Sequence, residues 1–282
     1  MWSLIPQSIH NVDYMPVTKD SGGAQSVDRA LALLVLVGQG AGAPVPIVAL
    51  TEATGLSRPT VRRLMLALMR SGMIEQDADT RAYFLGAEAY LLGLMAARRV
   101  DLLGAATDSL LRLAAESEDN AYLSLRRGSY GICVHREEGT YPIRSQALRT
   151  GDRHPLGVGA GGMAILAALP DGERSEVLNR IMPELAEGYP GYTPEVVSGA
   201  VARAQERGWA LNPGLYLPNS WAIGMAVHGP AGEVLGALSI AAIDTRMQPE
   251  RQEKLAALLR REVAQVEHAL CKGIQPGRSP GL

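Results

Sequence analysis

The chain has only two cysteines in 282 residues, Cys133 and Cys271, far apart and without metal-ligand spacing. That excludes a disulfide framework and a structural zinc site, and it reads as two reduced thiols in a cytoplasm. Neither sign of charge is in excess: 27 basic against 29 acidic residues leave a net charge of −2, with a pI near 6.2. No global basic field exists, so contact with a nucleic acid needs a local patch. Arg, Glu, Gly or Pro interrupts every apolar run before it reaches the ~18 residues of a membrane helix, so no membrane partner is expected. The first residues do not pair a positive charge with an apolar core, as a secretory signal does. No internal repeat or low-complexity block stands out.

What is there is 47% hydrophobic residues, enough for two compact domains with ordinary cores. Residues 1–25, with Pro6, Pro16, Gly22 and Gly23, read as a flexible leader. Residues 273–282, with three Gly and two Pro, read as a disordered tail.

The stretch from Pro46 to Gly86 carries the functional signal. Ser26 is a plausible N-cap for a first helix, in which Val27, Ala30, Leu31, Leu34 and Val37 recur at helical spacing and define one buried face. Ile47 to Thr54 predicts a second helix closed by Gly55, a residue suited to the left-handed conformation. Ser57 then caps a third helix with Pro59 in its first turn, where a missing N–H does no harm. Val61, Leu64, Met65 and Leu68 make the inward stripe, so Arg58, Arg62 and Arg63 face outward. Four arginines and no acid lie between Ser57 and Ser71. Met73–Gln76 and Arg81–Leu85 alternate as strands around the turn Asp77-Ala78-Asp79-Thr80.

This is the layout of a winged helix-turn-helix. Its recognition helix meets the major groove of double-stranded DNA through N-terminal and outward residues, here Ser57, Arg58, Pro59, Thr60, Arg62 and Arg63. The arginine fork suits guanine O6 and N7, and the Thr60 methyl or hydroxyl suits a base edge. Arg81 falls near the wing tip, close to a minor groove or a phosphate. The bland alternative is that these arginines are the solvated face of a small helical domain.

The segments SVDRALALLVLV and LTEATGLSRPTVRRLMLALMRSGMIEQDADTRAYFLG resemble the N-terminal domain of IclR-type bacterial transcriptional regulators. The resemblance continues through Asp101-Leu102-Leu103, Arg207-Gly208-Trp209-Ala210 and Gly236-Ala237-Leu238-Ser239-Ile240, and spans about Ser26 to Cys271. It implies an α+β chain: a winged helix-turn-helix domain at 26–86, a linker and dimerisation helix at 87–100, and a GAF-like effector-binding domain with an antiparallel sheet at 101–272. The residues agree independently. Hairpins are read at Ala121–Arg127 with Ile132–Arg136 and at Trp221–His228 with Val234–Ala242. Helices are read at Asp101–Glu116, Ala160–Leu169, Pro194–Arg207 and Pro249–Cys271. The order lacks a regular β-α-β alternation, as in an α+β domain.

Gly157-Val158-Gly159-Ala160-Gly161-Gly162 matches the G-x-G-x-x-G spacing of dinucleotide loops, but Arg153-His154-Pro155 precedes it instead of a buried strand, and Asp171 and Glu173 come too early. A glycine-rich helix start still offers free N–H groups to a ligand's carboxylate. By resemblance the effector pocket is lined near Gly159, Ala160, Gly161, Asn212, Trp221, Ala222, Ser239 and Ala241. Members of the family that bind small keto-acids tend to carry an acid near Asn212, a cysteine or serine near Ala222 and a serine near Ala241. Fewer fixed polar groups imply a more apolar ligand, an aromatic or larger organic acid.

The five histidines are scattered and none has a serine or cysteine nucleophile beside it in a motif, so no catalytic residue, cofactor or metal is expected. Tyr90, Leu91, Leu94 and Met95 make 87–99 more apolar than a lone surface helix needs. A homodimer follows, with a pseudo-palindromic operator, and the family often forms tetramers. The competing reading is a small-molecule-binding metabolic enzyme or ligand-storage protein whose helical head serves protein contacts.

Overall fold

The computed structural model describes residues 24–40, 43–97, 101–143 and 147–273. The expected leader up to residue 23 and the tail beyond 273 lie outside the described residues. The chain divides into two compact units, residues 1–99 and 100–282.

In the first unit, α1 (Gln25–Gly38), α2 (Ile47–Thr54) and α3 (Arg58–Arg70) precede a hairpin of β1 (Ile74–Gln76) and β2 (Tyr83–Leu85). Gly55 takes φ +65° and closes α2. The stripe Val61, Leu64, Met65 and Leu68 of α3 is buried against Leu33, Leu36 and Leu50, each large side chain contributing about 1.5–3 kcal/mol of burial. The hairpin pairs Ile74 with Leu85 and Gln76 with Tyr83, each strand shorter than the sequence spacing suggests. Tyr83 also bridges to Val45, which fastens the hairpin to the segment before α2.

The buried face of α1 differs from the expected one. The helix begins at Gln25, with Ala24 rather than Ser26 at its cap, and buries Ala32, Leu33, Leu36 and Val37. Val27, Leu31 and Val35 are exposed. A helix that is apolar on most of its circumference gives periodicity no face to choose. The helix that follows, α4 (Ala87–Ala97), leaves Tyr90 67% and Met95 64% exposed, with Leu91, Leu92 and Leu94 also open to solvent.

The second unit is built on a six-stranded sheet, antiparallel throughout, in the order β5-β4-β3-β8-β7-β6. Its strands are β3 (Asn120–Arg127), β4 (Tyr130–Glu137), β5 (Arg153–Pro155), β6 (Ala210–Pro213), β7 (Ser220–His228) and β8 (Val234–Ile243). The period of two sends alternate side chains to opposite faces. Leu123, Ile223, Leu238 and Ile240 pack on one face with residues of α5 (Leu102–Ser117) and α9 (Pro249–Gly273). The other face carries α6 (Gly159–Ala168), α7 (Asp171–Gly188) and α8 (Pro194–Arg207) through Ile165, Ile181 and Val197.

Helix α6 lies close on the sheet. A Cβ on Gly224 of β7 would sit 2.6 Å from the Ala160 carbonyl oxygen, so only glycine permits that approach. Charged ties join α5 to α9: Arg112 of α5 reaches the buried Glu262 at 2.8 Å, and Arg261 of α9 pairs with Glu116 as well as with its neighbour Glu262 at 2.9 Å. Arg246 and Arg251 converge on the buried Asp119, at 3.1 and 2.7 Å.

Candidate functional site

The turn into α3 sets its outward residues. Ser57 is extended at φ −64°, ψ 143°, and its carbonyl accepts the Val61 N–H at 3.0 Å. Its hydroxyl does not cap the backbone as expected from the sequence; it meets the Thr60 hydroxyl at 2.9 Å. Ser57, Arg58, Pro59, Arg62 and Arg63 are exposed and Thr60 is half-buried. Among the described residues none of these arginines forms an ion pair, so their charge is directed to solvent. In the wing, the Asp77 carboxylate accepts both the N–H and the hydroxyl of Thr80 at 2.7 Å. Those bonds hold it below the usual carboxylate range. Arg81 follows with φ +60°, its N–H donated to the Asp77 carbonyl at 3.0 Å and its side chain exposed.

In the second unit a cavity lies between the start of α6 and the sheet. Its floor follows from strand register: Tyr122, Ser239 and Gly224 stand abreast on β3, β8 and β7, and Ala241 stands beside Ala222. Of these, Tyr122, Ser239, Ala222 and Ala241 line the cavity, and Gly159, Ala160 and Gly161 form the α6 side. Asn212 closes one flank, its side-chain oxygen accepting the Leu215 N–H at 3.0 Å. The residues named from the sequence therefore converge on one cavity, with one correction.

Trp221 does not line it. Asn212 pairs with Ala222, and Trp221 pairs with Ala242; neighbours along a strand point to opposite faces, so Ala222 and Trp221 cannot share a cavity. Trp221 packs instead against the core beneath α5 and α9.

Several lining residues escaped the sequence reading: Tyr122, Ser124, Cys133, Asp152, His154 and Tyr216. The first two were legible, since alternation along β3 puts both on the face of the cavity. The others depend on the curl of the sheet. His154 belongs to the edge strand β5 and Tyr216 follows β6 at the far edge, yet their rings pack edge to face with centroids 4.7 Å apart. His154 Nδ1 hydrogen-bonds the Tyr189 hydroxyl at 2.9 Å, while its Nε2 is sealed from solvent without a partner. The Tyr192 hydroxyl accepts the Gly159 N–H at 3.1 Å and so holds the start of α6.

Burial sets the protonation of these groups. It pushes the Cys133 thiol up to about 12, helped by the charge of Asp152, and raises the Tyr122 and Tyr216 phenols. It lowers His154, against the opposing pull of Asp152. At neutral pH the thiol, phenols and imidazole are uncharged.

The glycine-rich run takes positive φ at Gly157 and Gly159 and leads into α6, but the strand before it is an antiparallel edge strand of three residues. A dinucleotide fold requires a parallel βαβ unit there. Among the described residues no group of three or more His, Cys, Asp or Glu side chains is placed to hold a metal ion, and no helix is long and apolar enough to cross a membrane.

Both units have counterparts in known proteins. Residues 26–78 match the IclR helix-turn-helix domain and residues 94–268 match the C-terminal domain of the bacterial transcriptional regulator IclR. The HTH-type transcriptional regulator BhcR of Paracoccus denitrificans is 24% identical over 263 residues, covering 93% of this chain and 92% of its own. The solved IclR transcriptional regulator of Alicyclobacillus acidocaldarius shares the fold with a TM-score of 0.72 at 24% identity, over 86% of this chain and 98% of that one. An IclR homologue of Microbacterium hydrocarbonoxydans, solved in complex with 4-hydroxybenzoate, superposes with a TM-score of 0.72 at 19% identity, over 87% and 98% of the two chains. With a helix-turn-helix unit followed by the matching C-terminal α+β domain, the chain belongs to the IclR family of bacterial transcriptional regulators.

Proposed function

We propose that this chain is a sequence-specific regulator that works in the cytoplasm as a homodimer and reads a pseudo-palindromic operator. Helix α3 enters the major groove, where Arg58, Arg62 and Arg63 contact base edges and phosphates and Ser57, Pro59 and Thr60 fit the helix start to the duplex. Arg81 on the wing reaches a phosphate or the minor groove. The exposed apolar side chains of α4 are covered by the same helix of a second copy, and two-fold symmetry of the protein is matched by symmetry of the operator. The observation that carries this reading is the α3 surface: three exposed arginines, none ion-paired among the described residues, on the second helix of a helix-turn-helix.

The cavity beside α6 takes the effector, an aromatic or larger organic acid. The start of α6, past the Gly159 N–H that Tyr192 takes, suits its carboxylate, and the alanines Ala160, Ala222 and Ala241 give its body an apolar bed. The bound 4-hydroxybenzoate of the Microbacterium hydrocarbonoxydans homologue supports that class. The effector alters operator affinity by preferring one arrangement of the dimer.

Selection of genomic fragments by the purified protein at physiological salt tests the DNA half. A palindrome should be enriched by the unaltered protein and lost when Arg58, Arg62 and Arg63 are changed to alanine. Arg62→Ala alone should weaken binding, and it should lower the slope of log affinity against log salt by about one if the lost contact is to a phosphate. Equal binding by the unaltered and triple-substituted proteins would overturn the assignment in favour of a head that serves protein contacts.

A further inference from the structure

We propose that Asp152 and His154 make the cavity selective for an acid that also carries an uncharged hydroxyl, and exclude a second carboxylate from the same ligand. This deepens the reading of the cavity as an organic-acid site and rests on it. Among the described lining residues there is one carboxylate, Asp152, and neither lysine nor arginine. Among the described residues of β3, β4 and β5, Arg136 pairs with Glu138 at 2.6 Å, Arg153 lies over the Tyr130 ring at 3.6 Å and Arg126 pairs with Glu173.

One ligand carboxylate can be met by the N–H groups at the start of α6. A second would find no lysine or arginine among the described lining residues and would share that space with the Asp152 carboxylate, where like charges repel more than in water. A hydroxyl meets the opposite situation. It can donate to the Asp152 carboxylate, of which Oδ2 already accepts the Arg149 N–H at 2.7 Å, leaving Oδ1 to receive a ligand. It also complements His154 in either tautomer, because a hydroxyl both donates and accepts. His154 lines the cavity, and burial keeps its ring neutral. Its Nε2 has no hydrogen-bond partner among the described residues, a cost that a hydroxyl reaching it would relieve.

Asp152 and His154 converge because the backbone makes them neighbours of β4. The Cys133 N–H donates to the Asp152 carbonyl at 2.9 Å, and His154 pairs with Gly131. Two residues apart on an extended segment, they point the same way. Specificity of this kind is strong where a buried site is built to bond a hydroxyl, since a ligand lacking one leaves protein groups unpaired.

Isothermal titration calorimetry at pH 7 with benzoate, 3-hydroxybenzoate, 4-hydroxybenzoate and terephthalate tests this on the unaltered full chain. At least one hydroxybenzoate should bind about tenfold or more tightly than benzoate, and terephthalate should bind more weakly than benzoate. Asp152→Asn should raise terephthalate relative to benzoate, and His154→Phe should narrow the hydroxyl preference. Hydroxybenzoates no tighter than benzoate, or terephthalate as tight as a hydroxybenzoate, would overturn the proposal while leaving the organic-acid reading intact. No binding by any of the four would overturn both. The ligand series on the unaltered protein decides the matter even if a variant fails to fold.

Discussion

Two glycines of the second unit separate space from strain at the scale of single residues. Gly224→Ala drives a methyl into the Ala160 carbonyl, at 2.6 Å, and against the Gly161 nitrogen at 3.0 Å. Backbone cannot rotate away, so a loss of about 1–3 kcal/mol is expected in a denaturant titration. Gly161→Ala meets the Ser124 hydroxyl and Cβ at 3.1 and 3.5 Å and the Ser239 hydroxyl at 3.7 Å, side-chain atoms rather than backbone, and a helical Gly→Ala change gains up to ~1 kcal/mol. Its stability should therefore stay near that of the parent. His154 adds a pH dependence of known sign. Burial depresses its folded-state value, so the unfolded chain binds the proton first as pH falls below the ordinary histidine range. Stability from this residue is complete above that range and is lost on acidification, and His154→Gln should flatten the fall in melting temperature between neutral pH and about pH 5. Ser239, Ala241 and Ala222 were named through the family resemblance, and the alternation of β7 and β8 agrees with them; the same alternation, applied to its neighbour, removes Trp221 from the cavity. Asp152 and His154 were not legible, because a loop and a three-residue strand carry no period.

At the scale of elements, exposed apolar surface singles out α4. Tyr90 and Met95 are the most exposed large hydrophobic side chains on it, and the paired change Tyr90→Glu with Met95→Glu should convert the proposed dimer to a monomer in light-scattering chromatography. Far-ultraviolet circular dichroism should be unchanged, because neither side chain is part of a buried cluster. A dimer that survives the change would place the interface elsewhere. Capped helices were read closely: Pro194–Arg207, with Thr193 before it and Gly208 after it, agrees residue for residue with α8, and Ile47–Thr54 agrees with α2. Helix α7 was missed. Its Asp171–Gly188 sequence is polar and contains Pro183, which reads as a break, although Val177, Ile181 and Leu185 recur every four residues and are its buried stripe. The face of α1 was misread for the opposite reason, since Ala30 to Val37 is apolar all round and only packing could choose a side.

For the molecule as a whole, the proposed regulation makes a demand that thermodynamics fixes in advance. If an aromatic acid changes operator affinity by a factor of about 5–150, equivalent to ~1–3 kcal/mol, the operator must change affinity for that acid by the same factor. Titrating the acid with and without a saturating duplex, and the duplex with and without the acid, should give equal ratios; unequal ratios would show that assembly state changes within the cycle. Two compact domains were expected from chain length and hydrophobic content, whereas the curl that brings β5 to the segment after β6 is a long-range property that no local pattern encodes. That same sheet ends on both sides in strands of three and four residues, Arg153–Pro155 and Ala210–Pro213. Each finishes in a proline, which cannot donate to a further strand. Short edge strands that end in proline are poor templates for a neighbouring molecule, and concentrated protein should resist fibril formation through this sheet even though its central strands are long and apolar.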